Sequence, residues 1–152
     1  MHASSGLPVP GQPIEAKPSA LRQFTSTILV LEALVVLFAC FAAIGLQGVP
    51  GAGRDAVPEM SDATIWTAGG VLMAVLLVLS RTVGRPGGVV AGSVAQVVVL
   101  ATGLVVPMMV LVGAVFAVLW VVSVRLGARI DRERAQYDAA HPETAPPPSS
   151  AR

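Results

Sequence analysis

GVVAGSVAQVVVLATGLVVPMMVLVGAVFAVLWVVSVRL, residues 88–126, decides the fold. The stretch is 39 residues long, and Arg125 is its one charged side chain. As a single helix it would measure about 58 Å, nearly twice the ~30 Å hydrocarbon core of a bilayer. Pro107, which follows Gly103, supplies a break, because proline has no amide proton to give yet fits the first turn of a new helix. The pattern predicts two spans, at about 88–105 and 107–126, with the turn between them close to the lipid surface.

Upstream, Arg81, Gly84, Arg85, Pro86 and Gly87 form a short turn. Before it, Ala63 to Ser80 reads as another apolar span, with Ser61 or Asp62 placed to cap it. Phe24 to Leu46 is apolar almost throughout, about 34 Å as a helix, and Gly48, Pro50, Gly51 and Gly53 end it. The arm at 1–21 carries Pro8, Pro10, Pro13 and Pro18 and is expected to be disordered; it is too polar for a signal peptide. Downstream, Gly127 to Tyr137 has a helical pattern, with Arg129 and Glu133 spaced i, i+4, and is expected to carry the last span into the cytoplasm. Residues 136–152, with Pro142, Pro146, Pro147 and Pro148, read as a disordered tail. The expected fold is an all-α integral membrane protein over 22–135. Its four transmembrane helices form two helical hairpins in a four-helix bundle, with disordered N- and C-terminal tails. No internal repeat is found.

Composition agrees. The 152 residues are 54% hydrophobic and 12% charged, against about 25% charged in an ordinary soluble domain. The formal net charge of +1 excludes a strongly basic nucleic-acid binder. A single cysteine, Cys40, excludes an internal disulfide framework or a multi-cysteine metal site, and reads as a small apolar side chain.

Orientation follows from lysine and arginine. Lys17, Arg22, Arg81, Arg85, Arg125, Arg129, Arg132, Arg134 and Arg152 fall on one side of the four spans. Arg54 alone lies on the other, beside Asp55, Glu59 and Asp62. The excess predicts both termini in the cytoplasm of a multi-pass plasma-membrane protein. Trp66 and Trp120, near opposite faces, read as interfacial aromatics.

Glu32 is the one acid or base well inside a span, about 12 Å in from Phe24. Such a carboxyl faces a partner or a water-filled cavity, and one that exchanges its proton with water is a proton carrier. Thr25, Glu32, Ala39 and Ala43 share a stripe, which sets Glu32 on a small-residue packing face. Gln96 lies about 12 Å in from Gly88. The first and third spans run in the same direction, so Glu32 and Gln96 share a depth and are expected to hydrogen-bond. Gly84, Gly88, Gly92 and Gln96 form an i+4 row that allows close helix approach. The pair reads as a structural contact, a proton-coupling site or a contact with a partner subunit. Arg81, Arg85, Arg125 and Arg129 read as membrane-interface anchors, with Arg132 beside them.

His2 and His141 lie outside the spans, so no histidine-ligated haem or metal is expected in the membrane. There is no phosphate-binding Gly-x-x-x-x-Gly-Lys loop, and no Ser–His–Asp set can be assembled. The sequence reads as no enzyme, with no cofactor and no nucleic-acid partner.

Arg22 before the first span, Leu31-Glu32-Ala33-Leu34-Val35-Val36 within it, Gly84-Arg85-Pro86, Gln96, and Gly113-x-x-Phe116-Ala117-x-x-Trp120 together resemble the actinobacterial domain of unknown function 4233 family. The resemblance covers about residues 21–135. It implies a small four-span membrane protein, often encoded beside or fused to folylpolyglutamate synthase. No catalytic or binding residue comes with it.

The leading expectation is a non-enzymatic accessory or scaffold protein that packs with itself or with a membrane partner. The alternative is a small proton-coupled exporter using Glu32. The small multidrug resistance transporters also have four spans and one essential carboxylate in the first, which Glu32 resembles. They line their pocket with aromatics, however, whereas the first and third spans here offer only Phe24, Phe38 and Phe41, and their best-known members insert in both orientations. Recruitment of a soluble folate enzyme by the cytoplasmic arms is a third idea, which rests on the gene neighbourhood alone.

Overall fold

The computed structural model describes residues 17–47, 60–103, 108–142 and 145–146. Four helices account for nearly all of these: α1 (Ala20–Gln47), α2 (Asp62–Thr82), α3 (Gly88–Thr102) and α4 (Met108–Ala140). No strand occurs among the described residues. The protein is all-helical, and α1, α2 and α4 are each long and apolar enough to cross a membrane. α3 is the exception. Its 15 residues rise about 22 Å, less than the hydrocarbon thickness, so the span expected over 88–105 is shorter as a helix. Gly103 ends it, with its amide bonded to the Leu100 carbonyl. Residues 104–107, including the expected break at Pro107, lie outside the described residues, as does the acidic loop around Arg54, Asp55 and Glu59.

Helix ends follow local chemistry. The Ser61 side chain accepts from the Thr64 amide at 3.2 Å, and Asp62 sits in the first turn, where the helix dipole favours an anion. Gly87 precedes α3 with φ +82°, a left-handed conformation that costs glycine little and other residues much.

The expected tails lie mostly outside the described residues, but both terminal helices reach further than expected. α1 starts at Ala20, where Ser19 acts as its N-cap, and 136–140 belong to α4 rather than to a tail. Alanines at 135, 139 and 140 favour helix, and Tyr137 stacks on His141 with ring centroids 4.3 Å apart. Pro142 then blocks continuation.

α1 packs on α2 along one flank and on α4 along the other; α3 leans on α4 and touches α2 lightly. α1 and α3 thus face each other across the middle. The core is built on the α1 stripe Leu29, Ala33, Val36, Cys40 and Ala43, met by Ile65 and Leu76 of α2, Ala95 of α3 and Trp120 of α4. The outward faces carry Val, Leu and Phe, among them Phe38, Val71, Val90 and Leu111, as a lipid solvent demands.

Trp120 corrects an expectation. It does not turn its ring outward but is 3% exposed, with the ring over Gly92 and the indole N–H donating to the Ser93 hydroxyl at 3.0 Å. A Cβ at Gly92 would overlap the six-membered ring. Of the glycine row read as a seam for close helix approach, Gly92 is a slot for an aromatic side chain, while Gly84 lies against the Arg22 side chain and Gly88 against the Val83 backbone. Trp66, by contrast, keeps an exposed face and meets Phe41 edge-on, with centroids 5.1 Å apart.

Candidate functional site

The buried polar side chains among the described residues are Thr25, Glu32, Ser80 and Gln96. The two hydroxyls are satisfied within their own helices: Thr25 donates to the Leu21 carbonyl at 2.6 Å and Ser80 to the Leu77 carbonyl at 2.7 Å. Glu32 and Gln96 have no such outlet. Glu32 sits on the core stripe of α1, one residue from Ala33 and three from Leu29. Gln96 follows Gly92 and Ala95 on the buried face of α3. Their helices pack little against each other directly, and the space across the middle falls to long side chains. They do bridge it: Gln96 Nε2 donates to Glu32 Oε2 at 2.6 Å, with Glu32 1% and Gln96 4% exposed. The remaining oxygen of each side chain, Oε1 in both, has no hydrogen-bond partner. Of the stripe proposed around Glu32, Thr25 and Ala43 are buried and Ala39 is half-buried.

A half-open pocket of about 270 Å³ lies further along α1, between α1 and α2, with Thr102 and Met109 also lining it. Val36, Cys40, Ala43, Ile65 and Leu72 line it, and it is almost wholly apolar. Glu32 is not among its lining residues. Cys40 points its thiol at the Ile65 carbonyl, 3.8 Å away, and behaves as the small core residue expected. No group of three or more metal-ligating side chains occurs among the described residues.

The candidate anchors gather at one end. Arg22 at the start of α1 lies along Gly84 of the α2–α3 turn, which carries Arg85 and follows Arg81 in the last turn of α2. The start of α1 is in turn held by α4 beyond its apolar part. Arg81, Arg85 and Arg125 are exposed, and Arg129 pairs with Glu133 at 2.7 Å on the surface.

Sequence reasoning missed the group that joins these ends. Asp131, in the polar extension of α4 beyond the apolar stretch, accepts from the Ser19 hydroxyl at 2.5 Å and from the Ala20 and Leu21 amides at 2.8 and 3.1 Å. It caps α1 from another helix. Arg134 Nη1 donates to the Pro18 carbonyl at 3.3 Å and stands 4.0 Å from Asp131, and Gly127 lets α4 run against the Leu21 backbone. Partial burial acts to raise the Asp131 pKa, but the three hydrogen bonds and the Arg134 charge outweigh it and hold the carboxyl below its usual range. Pro18-Ser19 before an apolar run is a readable helix start; an acid 112 residues from Ser19 has no local signal.

No curated protein and no solved structure matches this chain. The family model described as Protein of unknown function (DUF4233) matches residues 22–136, the part that holds all four helices except the first two and last four residues of the helical stretch. The chain belongs to that family, DUF4233.

Proposed function

We propose that this protein is a non-enzymatic accessory or scaffold protein of the plasma membrane, a four-helix bundle that works by packing with itself or with a partner subunit. The observation that carries the reading is where its interior polar groups are used. Glu32 is engaged by Gln96 of the same chain, while Thr25 and Ser80 bond their own helices. These buried polar side chains are thus used within the chain, once between helices and otherwise within a helix, and the faces left outward are apolar. The charge bias sets both termini in the cytoplasm. There Arg81, Arg85, Arg125 and Arg129 face anionic headgroups of the lipid bilayer.

Isolation of the tagged full chain from native membranes in nanodiscs, followed by mass measurement of the complex, tests this. The expected result is a homo-oligomer or a stoichiometric second membrane protein; a solitary monomer would contradict it.

The apolar cavity beside Cys40 favours a second reading, a small proton-coupled exporter with Glu32 as its carboxylate. Against it, that carboxyl does not line the cavity. Substrate-driven proton flux in liposomes, abolished by Glu32→Gln, would establish the exporter; no flux across a panel of cationic substrates would dismiss it.

A further inference from the structure

The two oxygens without partners are complementary. Gln96 gives an N–H to Glu32 Oε2, and what remains is one oxygen on each side chain, both buried and both acceptors while Glu32 is a carboxylate. An ionised Glu32 would leave two unsatisfied acceptors and an unpaired charge in apolar surroundings, a costly arrangement. No cation faces it. α2 carries ionisable groups only at its ends, Asp62 and Arg81, and α3 has none. α4 has none before Arg125, which is exposed. On α1, Arg22 lies along Gly84, and the Cys40 thiol points to Ile65.

We propose that this site binds one proton. Glu32 Oε1 takes it from water and donates it to Gln96 Oε1, closing a two-point ring in which carboxylic acid and amide each give one hydrogen and accept one. A single proton satisfies both orphaned oxygens and removes the charge. Glu32–Gln96 is the one side-chain hydrogen bond joining α1 to α3 among the described residues. α3 has little else on that side, since it is short and its contact with α2 is light. The proton is therefore a ligand that locks α3 across the assembly. Its loss as pH rises leaves two unpaired acceptors and a charge at the centre and loosens α3. The inference rests on the reading above only in treating the pair as a contact within one chain, and it concerns the purified protein whatever its oligomeric state.

Infrared spectroscopy of the full chain in nanodiscs tests it, with amide hydrogen exchange alongside. At neutral pH one carboxylic-acid carbonyl band per chain is expected, absent in Glu32→Gln and shifted in Gln96→Leu. Glu32→Gln keeps both ring bonds without a titratable proton, so its α3 protection should match the wild type and stay flat with pH. Wild-type α3 protection should fall at alkaline pH together with the acid band, a titration that needs no variant to fold. Absence of an acid band at neutral pH would overturn the bound proton. A band indifferent to Gln96→Leu, or one that titrates with no change in α3 exchange, would overturn the ring as a lock.

Discussion

At Gly92 the seating of Trp120 between α3 and α4 depends on the lack of a side chain. The Trp120 ring occupies the space a Cβ would need, and its N–H is engaged by Ser93 one residue along. Trp120→Ala should therefore empty a large buried volume and lower stability by about 3 kcal/mol, the low end for large aromatic truncations. Gly92→Leu should lower it as well, by collision instead of by loss. Thermal denaturation in detergent measures both. A Trp120→Ala protein as stable as the wild type would mean that the indole packs elsewhere. The same residues mark where sequence reading ends. A tryptophan near the end of a span has an interfacial signature, and a glycine row has a helix-contact signature; neither alone says that one fits the other. Glu32 and Gln96 were legible because a lone carboxyl in an apolar run has few places to go, and depth counted along two parallel helices selects the partner. The proton is not written in the residue types. It emerges only when each oxygen is given a partner and two are left over.

The helices themselves were largely legible, since apolar length and glycine–proline breaks are local signals. Ser61 caps α2 where the sequence placed a cap, and the α2–α3 turn falls at Gly84–Gly87. The ends of α1 and α4 were not legible to the same degree, because tertiary contact sets them. Asp131 fixes the start of α1 from another helix, across a sequence separation of 112 residues to Ser19. Removing this cap by Asp131→Ala should cost about 1 kcal/mol, the usual worth of an N-cap, and fray the first turn of α1, read as faster hydrogen exchange at 20–25. The folded carboxyl lies below its ordinary value, so its contribution is complete above the unfolded pKa of about 3.9 and is lost as pH falls through the folded value. Wild-type stability should thus decline on the acid side of about pH 4 by an increment that Asp131→Ala lacks. Equal acid limbs in both proteins would mean that the cap is not formed in solution. α3 departs from the expected span too: it ends after 15 residues at Gly103, which packs tightly against Val110 of α4.

On the scale of the whole molecule, the four helices are joined by a few polar links set in an apolar body. Asp131 ties α4 to the start of α1, Trp120 ties α4 to α3, and Glu32–Gln96 ties α1 to α3 across the middle. The α2–α3 seam is light beside those that α1 makes with α2 and α4. Such a molecule owes its arrangement to close packing supplemented by a small number of interior hydrogen bonds, the combination that holds helices together in lipid. The central claim is that Glu32 is engaged with Gln96 inside the chain and that this contact holds the assembly. A double-mutant cycle tests it most directly, with unfolding free energies measured for the wild type, Glu32→Leu, Gln96→Leu and the double variant in one bilayer mimic. The account predicts a favourable coupling of about 0.6–1.7 kcal/mol, the range seen for hydrogen bonds between membrane helices. Additive effects of the two substitutions would contradict it.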